Sequence, residues 1–214
     1  MSTGPSQMSK VSNLELVKEF FRHGSNAVIV VLMGALAASL LKSGQFGAKV
    51  PYMGLGLVIF FLTEYVAHRF QLHAPPAPNE FAKKLQHRLH YDHHTEPNRL
   101  DLLFIPVWYL VPLLVLYGYV YYKIVGSLAI VQGLLLGNLA GLFYYEYVHF
   151  IAHVPVTPMT PWGRYMKKYH LWHHYKNENF WYGVTNPFFD KIFGTYRDQA
   201  EAEKSGTTKS LHLR

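Results

Sequence analysis

Ten of the 13 histidines fall into four tight groups, and the chain has no cysteine. The groups are His68-Arg69-Phe70-Gln71-Leu72-His73, His90-Tyr91-Asp92-His93-His94, His149-Phe150-Ile151-Ala152-His153 and His170-Leu171-Trp172-His173-His174. Imidazole is the commonest protein metal ligand, and its nitrogens suit iron, zinc, copper or nickel. Ten such groups exceed what one tetrahedral or octahedral ion can use, so the count points to two metals. Thiolate sites and structural disulfides are excluded by the missing cysteine.

Spacing supports convergence. Residues three and four apart share a helix face. His149 and His153 are four apart, and the second and fourth groups each form a three-and-four set, so each group is expected to aim two or three rings at one point. His68 and His73 are five apart, about 140° around an ideal α-helix. Their convergence predicts that the helix ends between them, and Ala74-Pro75-Pro76 supplies a stop directly after. His23, His87 and His212 stand outside the pattern and are expected to be surface or packing residues, with His87 near enough to His90 to face the site.

Glu64 precedes His68 by four residues and Glu146 precedes His149 by three, each in or at the end of an apolar run. Carboxylates there are costly and usually functional. Both, with Asp190 and Asp101, are expected to accept a hydrogen bond from the outer nitrogen of a ligand histidine, which would fix the ring and raise its basicity. Direct ligation and a helix-packing hydrogen bond are the alternatives.

The elements that position these residues are apolar runs long enough to cross a bilayer, which takes about 20 residues. They are read at 24–41, 51–67, 102–122 and 125–148, with Pro106 and Pro112 expected to kink or interrupt the third. The second is short and is expected to continue helically into the first histidine group. Half the residues are hydrophobic and only 15% are charged, low against about a quarter in soluble domains. The expected fold is all-α: a polytopic membrane protein with about four transmembrane helices and a cytoplasmic helical cap holding a histidine-rich dinuclear site. The expected divisions are an N-terminal segment at 1–23, a membrane domain at 24–200 and a polar tail at 201–214.

Net charge is +7. Of the 20 lysines and arginines, all but Lys42, Lys49 and Lys123 flank the spans on one side. The positive-inside rule therefore predicts both termini, the central loop and all four histidine groups in the cytoplasm. Anionic lipid accounts for the charge, and no nucleic-acid motif is present. Residues 1–10 are Ser/Gly/Pro-rich, are expected to be disordered, and lack the pattern of a cleaved signal peptide. Gly133, Gly137 and Gly141 form a small-residue ladder expected to pack a neighbouring helix of the same chain. There is no nucleophile elbow or phosphate loop. An all-histidine dinuclear site beside membrane spans suits redox chemistry on a lipid.

With boxes HX4H, HX2HH, HX3H and HX2HH in that order, the chain resembles the membrane fatty acid hydroxylase and sterol desaturase superfamily. The likeness runs from Glu64 to Tyr196. It is most like the fatty acid 2-hydroxylase branch, through His68-Arg69-Phe70, Arg99, Pro106, Gly183-Val184 to Asp190, and Phe193-Gly194-Thr195. The resemblance implies an O2-dependent di-iron monooxygenase acting on a fatty acyl lipid. Its two iron ions would be held by His68, His73, His90, His93, His94, His149, His153, His170, His173 and His174, sites that zinc could also fill on purification. Tyr144, Tyr145, Trp172 and Trp181 are expected to help line an apolar slot for the chain. Many relatives carry a fused cytochrome b5 domain, for which the stretch before Glu64 is too short and too hydrophobic. An external donor (cytochrome b5, ferredoxin or reductase) is therefore expected. A sterol or carotenoid hydroxylase or desaturase of the same superfamily, and a non-catalytic membrane metal-binding protein, are the alternative readings.

Overall fold

The structure, a computed structural model, describes residues 12–213; the Ser/Gly/Pro-rich stretch at 1–10 lies outside the described residues. Among the described residues every regular element is helical. Helix α1 (Asn13–Arg22) opens with a capping box in which Glu15 N donates to Ser12 Oγ at 3.2 Å and Ser12 N donates to Glu15 Oε2 at 2.8 Å. Its Phe20 is buried edge-on against Phe104 and Phe150, at 5.6 and 5.5 Å, so the helix lies on the protein body.

Four helical stretches have the length and composition to cross a membrane: Gly24–Lys42, Phe46–Leu72, Leu100–Val125 and Leu128–His153. They comprise α2 (Gly24–Lys42), α3 (Phe46–Ala67) with a π-turn (His68–Leu72), a 3-10 turn (Leu100–Leu102) followed by α6 (Val107–Val125), and α7 (Leu128–His153). Side chains such as Val31, Val58, Val115 and Ile124 are exposed on these helices, an apolar outer surface that belongs against lipid in a multi-pass membrane protein. Two boundaries differ from the sequence expectation. The second span starts at Phe46, with Pro51 inside the helix but early enough that only one backbone hydrogen bond is lost. Pro106 interrupts the third span, as one branch of the expectation had it: the chain leaves the helix over 103–106 and restarts as α6 at Val107 with Pro106 as its cap, and α6 then carries Pro112 internally and ends at Gly126 in the left-handed region (φ 64°).

Length explains where the histidines stand. Helix α7 has 26 residues, about 39 Å at 1.5 Å per residue, against a hydrocarbon core of about 30 Å. The excess, about 9 Å, is enough for the end that carries His149 and His153 to stand outside the core. The stretch from Phe46 to Leu72 overshoots similarly.

Helices α3 and α7 meet backbone to backbone. A Cβ on Gly137 would lie 2.0 Å from Met53 O, one on Gly56 2.1 Å from Leu134 O, and one on Gly141 2.5 Å from the Phe60 ring. The glycine ladder thus packs within the monomer. Asn138 locks this seam, donating to Gly56 O and accepting from Tyr121 OH at 2.7 Å.

The cap collects α4 (Glu80–Gln86), a π-turn (His87–Tyr91), α5 (Asp92–Thr95), α8 (Pro161–Tyr175), α9 (Phe188–Ile192) and the segment that follows. Helix α8 is started by Pro161 and by the Thr160 hydroxyl, which accepts from Gly163 N at 3.0 Å.

Candidate metal centre

The ten histidines come together as two clusters of five. His68, His73, His90, His94 and His173 form the first, and His93, His149, His153, His170 and His174 the second; within each, one nitrogen per ring lies within 4.8 Å of all the others. Nine of these side chains are buried, and His153 is half-buried.

Local geometry sorts them. His68 and His73 converge without the helix ending between them: the π-turn closes with His73 N donating to His68 O at 3.0 Å, which stacks residues five apart. Ala74-Pro75-Pro76 then ends the helix. Of each three-histidine set, two rings aim at one cluster and the third at the other. Adjacent residues differ by about 100° on a helix, so His93 and His94 serve different clusters, as do His173 and His174, whereas each pair four apart stays together.

Ring nitrogens face one another across short edges. His90 Nε2 is 3.1 Å from His68 Nε2 and 2.8 Å from His73 Nε2, which is 3.0 Å from His173 Nε2. In the second cluster the His93–His149 and His153–His170 edges are each 3.0 Å. The outer nitrogens of His68, His94 and His173 face the carbonyls of Tyr182, Thr208 and Phe180. A carbonyl only accepts, so Nδ1 must donate and Nε2 carries a bare lone pair. Facing Nε2 atoms at such separations need either one shared proton or a cation between them. With bonds of about 2.1 Å, adjacent corners of an octahedron are about 3.0 Å apart and those of a tetrahedron about 3.4 Å. The edges fit the former. Neither nitrogen of the buried His174 has a hydrogen-bond partner, which leaves one free for a metal ion.

Protons are excluded. Burial, then repulsion from neighbouring imidazoles, holds His73, His90, His93, His170 and His174 well below the ordinary imidazole range. Unfolded histidines titrate near ~6.5. Below that pH the unfolded chain binds protons that the metal-free fold refuses, so stability falls as pH drops through ~6.5. Thermal unfolding of the metal-free protein should show its midpoint falling between about pH 7.5 and 5.5; an unchanged midpoint would contradict this account.

None of the four carboxylates expected to orient ligand histidines is hydrogen-bonded to an imidazole of either cluster. Glu64 Oε1 accepts from Val184 N at 2.7 Å and Thr185 N at 3.0 Å, and Oε2 accepts from the Thr185 hydroxyl. Glu146 Oε1 accepts from Ile105 N at 3.0 Å. Asp190 accepts from Tyr182 N at 2.9 Å, Gly183 N at 2.7 Å and Thr195 Oγ1 at 2.7 Å. Asp101 is exposed and paired with Arg99 at 2.7 Å. The physical reason is that buried loop amides need acceptors, while His68, His94 and His173 take theirs from backbone carbonyls. Two of those carbonyls, of Phe180 and Tyr182, flank Trp181, whose left-handed backbone (φ 60°) is uncommon for a bulky residue.

His87 bonds Asp92 at 2.8 Å, His23 stacks on Phe104, and His212 is exposed; none joins a cluster. Trp172 and Trp181 do not line a slot. Trp181 is fully buried with Tyr169, Met166 and Val184, and Trp172 packs on it at 5.8 Å. Tyr145 does line a cavity of about 200 Å³ between α3, α6 and α7, with Phe60, Leu113, Leu142 and His68. Tyr144 lies on a separate outer groove.

Residues 53–195 match the family profile described as fatty acid hydroxylase. The chain is 30% identical over 194 residues to dihydroceramide fatty acyl 2-hydroxylase FAH2 of Arabidopsis thaliana, covering 84% of this chain and 76% of that one. It is 36% identical over 149 residues to ceramide very long chain fatty acid hydroxylase SCS7 of Saccharomyces cerevisiae, covering 66% of this chain but only 37% of the yeast protein. The solved structure of full-length Scs7p, in which only the hydroxylase domain is visible, superposes with a TM-score of 0.71 at 30% identity, covering 84% of this chain and 66% of that one.

Proposed function

The chain belongs to the fatty acid hydroxylase family, and from that premise we propose that it is an O2-dependent membrane monooxygenase that hydroxylates a fatty acyl chain, with two iron ions held by the ten clustered histidines. The observation that carries the reading is the join between site and cavity. His68 belongs to the first cluster and also lines the 200 Å³ cavity. On α7 the cavity is lined from Asn138 to Tyr145, so it runs about 10 Å along that helix.

The chain's own residues supply binding, aim and shelter. Phe60, Leu110, Leu113 and Leu142 give an acyl chain apolar walls, and each methylene buried there contributes about 0.8 kcal/mol. Asn138 also lines the wall, but its amide is occupied by Gly56 and Tyr121, so it offers the chain no competing hydrogen bond. Glu64 holds Val184 and Thr185 against the cavity wall beside His68. The carbonyls of Tyr182, Phe180 and Thr208 keep three imidazoles turned inward. Bound iron would supply O2 activation: one oxygen atom enters a C–H bond as hydroxyl and the other leaves as water, with two electrons and two protons arriving from a separate cytochrome b5, ferredoxin or reductase. The one-sided distribution of lysine and arginine supports a cytoplasmic face for both termini and the clusters.

Lipid mass spectrometry of cells expressing the chain, supplied with iron and O2, tests the reading against Leu113→Trp, which narrows the cavity without touching a histidine. Acyl chains one oxygen heavier should accumulate with the intact protein and fall at least about tenfold with the variant, as a misplaced reacting carbon predicts. Oxygenated sterols or carotenoids in place of acyl products would move the reading to those substrates. Products two hydrogens lighter would make it a desaturase. No change in any lipid, with a competent donor co-expressed, would sink it.

A further inference from the structure

Residues 203–211 lie beyond the stretch matched by the family profile, yet they cross the metal-binding face as a strap. One end is tied to the turn after α8: Ser205 N donates to Lys176 O at 2.8 Å and Asn177 Nδ2 donates to Glu203 O at 3.1 Å. The other end reaches the second histidine group. There His94 Nδ1 donates to Thr208 O at 2.9 Å, Thr95 Oγ1 donates to Lys209 O at 3.2 Å, and Leu211 is buried.

Between the two ends sits Glu178, a fully buried carboxylate four residues past His174. It accepts from Ser205 Oγ at 3.0 Å and from Thr207 Oγ1 at 2.5 Å. Thr207 N in turn donates to Ser205 Oγ at 3.1 Å, so two strap hydroxyls and one amide form a compact network on one carboxylate. Burying a carboxylate is costly unless its hydrogen bonds secure something. Here the secured residue, Thr207, immediately precedes the carbonyl that faces His94. The strap is mostly polar, with Leu211 as its buried apolar side chain, so hydrogen bonds set its path more than packing does.

We propose that Glu178 is a positioning residue for the first metal cluster. By holding Ser205 and Thr207 it places the Thr208 carbonyl on His94 Nδ1, and so keeps His94 Nε2 turned toward His68, His73, His90 and His173. The inference rests on the metal-binding reading of the two clusters. Outer partners of ligand histidines typically change metal affinity 10- to 100-fold, and only one of the two clusters contains His94. A selective weakening of one site is therefore the signature of this role.

The test uses the full chain in detergent loaded with zinc alone, following metal content, release to a chelator, and thermal midpoint. The wild type should hold two zinc ions with slow release. Glu178→Ala should release one of them about 10- to 100-fold faster and keep the other at the wild-type rate. Glu178→Gln, which retains an oxygen acceptor, should lie nearer the wild type. Thr207→Val removes the partner hydroxyl with little change of shape, and should reproduce the selective loss even where Glu178→Ala does not fold. Wild-type release from both sites in Thr207→Val, or equal weakening of both sites in step with a falling midpoint, would overturn the proposal. A wild-type chain that binds no zinc would instead remove the metal-binding reading, and this inference with it.

Discussion

Replacing His173 and His174 together by alanine is expected to abolish hydroxylated product while leaving the chain in the membrane at normal levels. The two rings are neighbours on α8 but serve different clusters, so one short stretch of helix contributes a nitrogen to each. His173 Nε2 sits 3.0 Å from His73 Nε2, and its Nδ1 is held by Phe180 O at 2.7 Å; His174 stacks on His94 at 4.1 Å, across the seam between the clusters. Loss of an outer partner alone weakens a metal site 10- to 100-fold, so loss of a ligand from each of two sites should lower product by more than about 100-fold. Bound metal stabilises the folded state by mass action. Zinc should therefore raise the thermal midpoint of the wild type and not of the variant. Product formation by the variant at wild-type level would mean that the clusters are not where the chemistry occurs.

The pattern of histidines was legible because imidazole count and spacing are written in side chains. So were the spans, since apolar length is a one-dimensional property, and the glycine ladder, since a missing Cβ marks a close approach. The sorting of ligands was not. Whether His68 and His73 meet depends on one widened turn, and nothing in His68-Arg69-Phe70-Gln71-Leu72 distinguishes a π-turn from the end of an α-helix. The division of His93 from His94 follows from the angle between adjacent residues only once two clusters are placed in space. Carbonyl partners are less visible still: Thr208, Phe180 and Tyr182 orient rings through main-chain oxygen, which every residue carries. Glu178 did leave a trace, as an acidic residue close behind the fourth histidine group in an otherwise basic stretch. The carboxylates Glu64, Glu146 and Asp190 were visible as costly residues, but whether such a group faces an imidazole or a loop amide is decided by the tertiary fold.

Asp190→Ala is expected to cost the protein both stability and metal. The Asp190 carboxylate is fully buried and satisfies two loop amides and one hydroxyl, from Tyr182, Gly183 and Thr195. Gly183 comes so close that a Cβ there would lie 2.1 Å from Asn186 O and 2.9 Å from Asp190 Oδ2, so the loop is drawn in around the carboxylate. Removing the acceptor leaves buried donors unpaired at about 1–3 kcal/mol each, a total of several kcal/mol against the 5–15 kcal/mol by which a typical protein is stable. The effect then passes to the metal site by a short route. Tyr182 donates its amide to Asp190 and accepts His68 Nδ1 at its carbonyl, so one residue joins the carboxylate to the first cluster. Thr195 carries a second branch, since its hydroxyl also meets Tyr65 OH at 2.7 Å, and Arg69 donates to that phenol at 2.8 Å, one residue from His68. Glu64 fastens the same loop two and three residues further on, which should hold Val184 and Thr185 in place while Tyr182 shifts. Zinc content should fall toward one per chain, with the His68 cluster emptying first, and the thermal midpoint should drop by about 5 °C or more, on a scale of 2–4 °C per kcal/mol for a chain of this size. Asp190→Asn keeps one oxygen but sets an amide N–H against a donor, so it should recover only part of both losses. A variant with wild-type midpoint and two tightly held zinc ions would show that the loop is fixed without the carboxylate, and that His68 owes its orientation to the π-turn alone.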